Sequence, residues 1–218
     1  MPDATILVTA TGTEVGKTWT IARVVERLRG SGVEAGARKP VQSFDPADGL
    51  TDAHVLARAS GAEVHEVCPP QFHLPAPMAP PMAAAALGRP AFRIAELIAG
   101  MSPPLSGVLF VEGVGGPRSP LAADGDTITL ARAIEPDAVI LVALPELGVI
   151  NDVVLCIGAL GRRDTVIFLN RFDETQEIHV RNLRWLQDIE GLTVATTIDG
   201  LIGALPVRTL ISAPGSSS

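Results

Sequence analysis

The chain has 218 residues, of which 47% are hydrophobic and 19% charged, and its formal net charge is −7. This suits one folded α/β domain with a full core, or at most two small ones, and excludes a disordered chain. The acidic balance argues against nucleic acid or an anionic membrane as the main partner, while leaving room for a local basic pocket. Cys68 and Cys156 stand far apart and form no CxxC pair, so neither a disulfide framework nor a zinc site is expected. No basic-then-apolar leader precedes the first strand, and no run of about twenty apolar residues occurs. A cytoplasmic protein without a membrane span is expected.

Ala4–Val8 is a continuous apolar run that suits a buried parallel strand. Thr18–Arg29 reads as a helix, with Ile21, Val24, Val25 and Leu28 on one face and glycines after it. Glu34–Lys39 is a second strand, stopped by Pro40, and Asp52–Ala59 a short helix. A proline-rich stretch, Cys68–Met82, reads as a long insertion, and helices follow at Met78–Leu87 and Phe92–Ala99. Val108–Val111 is a strand running into Glu112, and Thr127–Ile134 a helix. Ala138–Ala143, Val149–Leu160 and Thr165–Leu169 read as strand, helix and strand; a loop over Asn170–Glu177 leads to an amphipathic helix, Ile178–Ile189. Leu201–Leu205 is the candidate for a last strand, and the tail Ser212–Ser218 is expected to be disordered. Alternation of this kind predicts a mostly parallel central sheet flanked by helices, in a single domain over residues 1–211.

Ala10 to Thr18 reads A-T-G-T-E-V-G-K-T between a strand and a helix, the setting that a phosphate-binding P-loop requires. Backbone N–H groups at a helix N-terminus converge on one anion, and the helix dipole favours negative charge there. Gly16 allows close backbone approach, Lys17 reaches the β and γ oxygens, and Thr18 offers a hydroxyl to Mg²⁺. The usual glycine five positions before Gly16 is Thr11 here, and Ala10 stands where a loop one residue longer begins. A second metal ligand is expected after a neighbouring strand, where Glu112 precedes Gly113, Gly115 and Gly116; a carboxylate there could instead simply cap the strand. Open α/β sheets bind ligands at the carboxyl ends of their strands, which gathers Lys17, Lys39, Glu112, Pro145 and Asn170 on one edge.

These motifs, in this order, resemble the dethiobiotin synthetase family. The loop is similar to that family's G-T-x-T-x-V-G-K-T, and Lys39-Pro40-Val41-Gln42-Ser43 to its K-P-V-x-[ST]. Asp52-Ala53 resembles its short D-A segment, and Pro77-Met78-Ala79-Pro80 its substrate loop P-x-[AS]-P. Glu112 to Gly116 followed by Pro120-Leu121 resembles E-G-A-G-G and P-L, and Leu147 to Asn151 matches L-G-x-I-N. The resemblance runs from Thr5 to about Asn170 and fades after it.

The resemblance implies ATP-dependent carboxylation and ring closure of 7,8-diaminononanoate with CO₂ or bicarbonate, Mg²⁺ as cofactor, and a carbamate and a carbamic-phosphoric anhydride as intermediates. It implies Lys39 and Lys17 as catalytic residues and Thr18, Asp52 and Glu112 as metal ligands. Nucleotide contacts would come from Glu14, Val15, Gly16, Lys17, Thr18, Trp19, Asp52, Glu112, Gly115, Asn170 and Pro206. Asn170 would read the adenine, and Pro206 would close over it. Thr13, Ser43, Pro77 and Met78 would contact the substrate, and Gly148, Ile150 and Asn151 its carboxylate. In the family that last helix belongs to the other subunit, which implies a homodimer with the active site at its interface. Departures are Ala10 in the loop, Pro117-Arg118 after the double glycine, and Glu146 beside an anion site.

Other readings stay open on the sequence. A ParA- or MinD-like ATPase switch has the same fold, but its loop carries an extra lysine that Ala10 to Thr13 lack. Amide-forming cobyrinate or CTP-synthase relatives usually carry a further glutaminase domain. A GTPase would match Asn170-Arg171-Phe172-Asp173 loosely with N-K-x-D, but no D-x-x-G follows Val108–Val111. Ala10 also leaves a catalytically inactive paralogue open.

Overall fold

The computed structural model describes residues 2–101, 106–161 and 163–207; the tail Ser212–Ser218 lies outside them. The first half of the chain runs β1 (Ala4–Ala10), α1 (Lys17–Gly30), β2 (Ala35–Arg38), β3 (Gln42–Ser43), α2 (Asp52–Ser60), α3 (Val64–Val67), β4 (His73–Leu74), α4 (Pro80–Ala86) and α5 (Ile94–Gly100). The second half runs β5 (Val108–Glu112), β6 (Pro120–Ala122), β7 (Gly125–Asp126), α6 (Thr127–Ile134), β8 (Ala138–Ala143), α7 (Val149–Leu160), β9 (Thr165–Leu169), α8 (Glu177–Arg184), β10 (Thr193–Ala195) and α9 (Ile198–Ala204).

Six strands form one sheet in the order β10-β9-β8-β1-β5-β2, and every pairing within it is parallel. Helices cover both faces, so the strands are apolar on both sides: Ile6, Leu7, Val8, Val139, Ile140, Leu141 and Val142 are wholly buried. Register then decides which residues meet at the carboxyl edge. Val8 lies opposite Glu112, so the P-loop begins just beyond β5's last residue. Arg38 pairs with Val111, which brings the next residue, Lys39, level with Glu112.

α1 shows why the local sequence chooses a helix. Ile21, Val24, Val25 and Leu28 recur at helical spacing and are all buried against the sheet. α6 begins where the Asp126 carboxylate accepts from Thr129 N at 2.9 Å, an N-cap worth about 0.5–2 kcal/mol.

Several boundaries differ from the sequence reading. α4 starts at Pro80 and α5 at Ile94, each two residues inside its predicted range. The predicted helix Ile178–Ile189 is α8 followed by a wider π turn over Trp185–Ile189. Leu201–Leu205 is not a strand. Ile198, Leu201 and Ile202 fall on one helical face with Leu205 at its C-cap, Thr197 Oγ1 caps Gly200 N at 3.1 Å, and the last strand among the described residues is the three-residue β10 before them. The proline-rich stretch is not a bare insertion either: β4 within it pairs with β3.

Candidate active site

The P-loop leaves β1 and enters α1 through two left-handed residues, Glu14 at φ 58° and Gly16 at φ 100°. Glycine at 16 is required twice over. Its φ suits no side chain, and a Cβ there would lie 2.2 Å from Asn170 Nδ2. That Asn170 amide donates to Val15 O at 2.9 Å while its Oδ1 accepts from Arg171 N at 3.0 Å, so β9's end clamps the loop. Ala10 is the last, wholly buried residue of β1 and has no positive φ, so the strand needs no glycine there. Lys17 Nζ donates to Gly12 O at 3.2 Å, folding the lysine back over the loop.

Beneath the loop one chain of polar contacts joins three elements. Thr18 Oγ1 donates to Glu112 Oε1 at 2.9 Å. Lys39 Nζ donates to the same oxygen at 2.7 Å and also to Asp52 Oδ2 at the start of α2. The Lys39 backbone is pinned by its N–H donating to Val67 O at 2.8 Å. Glu112 is 1% exposed and Lys39 5%, whereas the Asp52 side chain is 45% exposed.

The charges follow from this geometry. Burial works against the Lys39 ammonium, but the Glu112 and Asp52 carboxylates outweigh it and hold Lys39 above the ordinary lysine value. Burial likewise raises Asp52, but Lys39 beside it prevails and leaves Asp52 below the usual carboxylate range. Burial pushes Glu112 up, with the Lys39 ammonium opposing it. Burial lowers Lys17, with Glu112 opposing. The Glu112, Lys39, Asp52 and Lys17 charges thus act on one another.

The donor set fits magnesium. Glu112 Oε2 is buried with no hydrogen-bond partner, and Thr18 and Asp52 offer two further hard oxygens beside it. Mg²⁺ is usually held by one or two carboxylates together with substrate phosphates. Among the described residues no group of three or more His, Cys, Asp or Glu gathers as a self-sufficient metal cage. Thr18, Asp52 and Glu112 match the shared kind of site, in which a nucleotide completes the coordination.

The remaining sequence-predicted residues fall into groups. Gly115 has φ 54°, and a Cβ added there would come within 3.8 Å of Thr13, so the glycine loop after β5 packs on the P-loop. Thr11, Gly12 and Val15 share a cleft of about 250 Å³ with Leu147, Val149 and Asp152 around the start of α7, whereas Gly148, Ile150 and Asn151 are not among the residues that line it. Ser43 on β3 lies opposite Leu74 on β4, and the chain continues from there to exposed Pro77 and Met78. Trp19 is exposed under the Arg23 guanidinium, 5.9 Å away. Pro206 is exposed after α9, which the Arg27–Asp199 ion pair at 2.8 Å ties to α1. Trp19 and Pro206 stand outside the chain of contacts joining Thr18, Glu112, Lys39 and Asp52.

A family described as an AAA domain matches residues 4–214 of this chain. The ATP-dependent dethiobiotin synthetase of Haloferax mediterranei is 33% identical over 221 residues, covering 94% of this chain and 93% of the relative. The chain belongs to the dethiobiotin synthetase family. The family's enzyme from Acidiphilium cryptum is 37% identical over 175 residues, covering 73% of this chain and 75% of its own. That from Bacillus cereus is 32% identical over 196 residues, covering 86% and 79%. Solved structures place this dethiobiotin synthetase family member in a wider fold. A plasmid partition protein of Borrelia burgdorferi bound to AMPPNP superposes with a TM-score of 0.55 at 9% identity, covering 94% of this chain and 98% of that one. The signal recognition particle receptor FtsY of Elizabethkingia anophelis gives 0.53 at 13%, covering 96% of this chain and 65% of that one. Both likenesses concern the fold alone. No helix of the described residues is long and apolar enough to cross a membrane.

Sequence reading of this family member missed Gln42. It is 1% exposed, and its side chain bonds on both sides of Asp52. The only hint was an amide inside the lysine segment, and its partners are nine and eleven residues away.

Proposed function

We propose that this protein is an ATP-dependent dethiobiotin synthetase acting in biotin biosynthesis. The observation that carries the reading is the polar chain from Thr18 through Glu112 to Lys39 and Asp52, which ties the phosphate loop to the second lysine. A simple phosphate-binding loop has no need of that second lysine.

The reaction proceeds in three steps. One substrate amine attacks CO₂ at carbon and gives up a proton, forming a carbamate. A carbamate oxygen attacks the γ-phosphorus, the bond to the bridging oxygen breaks, and ADP leaves with the electron pair. The second amine attacks the carbonyl carbon of the resulting carbamic-phosphoric anhydride. Phosphate departs, a proton is lost, and the cyclic urea closes.

Each anionic stage crowds negative charge, so preorganised positive charge is the main catalytic demand. Lys17 serves the β and γ oxygens from the loop, with the backbone of Glu14, Val15 and Gly16 around them. Lys39 serves the carbamate and its phosphoryl group. Magnesium, held by Thr18, Asp52 and Glu112, would neutralise charge on the β and γ oxygens. Gly115 and Trp19 flank the nucleotide, and Asn170 and Pro206 bound the base.

Thr13, Ser43, Pro77 and Met78 line the substrate's path. The N-terminus of α7 at Gly148, Ile150 and Asn151 takes the substrate carboxylate. A partner subunit supplies that helix. This accounts for the exposed apolar side chains around it, Leu147, Val154 and Leu155. The small-molecule partners are ATP, CO₂ or bicarbonate, and the diamine; the acidic chain offers nucleic acid no counterpart.

Incubation with Mg-ATP, isotopically labelled bicarbonate and 7,8-diaminononanoate, followed by mass spectrometry, tests the reading. Dethiobiotin carrying one labelled carbon is the expected product. ADP without a labelled urea would contradict it.

A further inference from the structure

Gln42 lies on the segment that carries Lys39, yet its side chain works on α2. Its Nε2 donates to Thr51 Oγ1 at 3.1 Å, and its Oε1 accepts from Ala53 N at 3.1 Å. Thr51 and Ala53 flank Asp52 in the chain. Thr51 is itself fixed as the N-cap of α2: its hydroxyl lies 2.8 Å from His54 Nδ1, and its N–H donates to the same ring nitrogen at 3.3 Å. Segment 39–42 therefore holds residue 52 in two ways. Lys39 pairs with the carboxylate, and Gln42 braces the backbone on either side of it.

This brace is buried more deeply than the carboxylate it serves. Gln42 is 1% exposed, whereas the Asp52 side chain is 45% exposed. An exposed carboxylate on a helix's first residue keeps one position only if its backbone is fixed. Magnesium demands near-octahedral ligands at about 2.0–2.1 Å, so such a ligand is only as good as its support.

We propose that Gln42 is a positioning residue that fixes Asp52 for the magnesium–nucleotide complex. The inference rests on the reading of Thr18, Asp52 and Glu112 as metal ligands. Gln42 touches neither metal nor substrate and acts through residues 51 and 53.

The test is a titration of Mn²⁺ into the full chain with bound AMPPNP, read by electron paramagnetic resonance, beside the Mg²⁺ dependence of phosphate release. Gln42→Met keeps the length and removes both hydrogen bonds. It should raise the Mn²⁺ dissociation constant about tenfold to a hundredfold, the range seen when the support of a metal ligand is removed. The Mg²⁺ needed for half-maximal turnover should rise with it, while kcat at saturating Mg²⁺ changes far less. In an Asp52→Asn background Gln42→Met should add nothing. Should Gln42→Met fail to fold, Thr51→Val removes the same acceptor and should shift Mn²⁺ affinity in the same direction. Unchanged Mn²⁺ affinity in a folded Gln42→Met or Thr51→Val variant, with Asp52→Asn weakened, overturns the role of Gln42. Unchanged affinity in Asp52→Asn overturns the metal reading beneath it instead.

Discussion

Lys39 Nζ and Glu112 Oε1 lie 2.7 Å apart, with both side chains almost fully withdrawn from solvent. A buried ion pair gains little net stability, because desolvating each charge offsets their attraction. Breaking one is another matter, since the surviving charge stays buried and unpaired. This pair is therefore better understood as a poised site than as a structural staple.

The first prediction concerns that asymmetry. Lys39→Met leaves Glu112 without its ammonium and should lower unfolding free energy by about 3–5 kcal/mol in nucleotide-free protein. Lys39→Met with Glu112→Gln should cost clearly less than the sum of the single changes, because the two residues are in direct contact. Urea unfolding of wild type, both single variants and the double variant measures the coupling. Additive losses would show that the pair does not act as a unit.

The second prediction separates two loop glycines. Gly16→Ala forces a side chain into φ 100° and against Asn170 Nδ2, whereas a Cβ at Gly12 meets nothing within 4 Å. Gly16→Ala should lower stability by at least about 1–2 kcal/mol without nucleotide, and Gly12→Ala by much less. Thermal unfolding of the nucleotide-free variants decides it; equal melting temperatures would contradict the geometry.

A third prediction follows from the thiols. Burial pushes Cys68 up to about 12 and Cys156 up to about 11. Only the thiolate reacts, and for Cys68 at pH 8 that is a fraction of about 10⁻⁴. Both raised values mean that folding favours the neutral thiol. Their contribution to stability is full below the unfolded value near 9 and is lost as pH climbs through 11 to 12. Iodoacetamide at pH 8 should leave native Cys68 unmodified for hours and label it quickly in urea. Peptide mapping reads the outcome, and fast labelling of native Cys68 would refute its burial.

The fourth prediction tests the proposed pairing. Leu155 is 66% exposed on α7 beside half-exposed Val154. Leu155→Glu should weaken self-association at least tenfold, about 1.4 kcal/mol. The Michaelis constant for the diamine should rise with it. Sedimentation equilibrium supplies the first measurement; a wild-type monomer with full turnover would sink the shared-site account.

The fold was largely legible because its strands are apolar on both faces. Ala138–Ala143 and Thr165–Leu169 stand out as unbroken runs bounded by polar or glycine-bearing segments, and both match their observed limits. Thr127–Ile134 and Val149–Leu160 match their observed limits as well. Leu201–Leu205 was misread because four of its five residues are apolar. Extending the window to Ile198 reveals the spacing of a helix face, while three-residue β10 is too short to show a period. The meeting of Lys17, Lys39 and Glu112 at one edge was legible because ligand sites of such sheets lie at the carboxyl ends of the strands. Gln42 was not, because its role exists only once β3 has folded beside the start of α2.

The most direct test of the central claim is phosphate release measured with Mg-ATP and bicarbonate, with and without 7,8-diaminononanoate. Release should depend on the diamine, and Lys39→Ala and Lys17→Ala should each lower the diamine-dependent rate by at least about 10²–10³-fold. Release that ignores the diamine, or survives the loss of Lys39, would contradict the account.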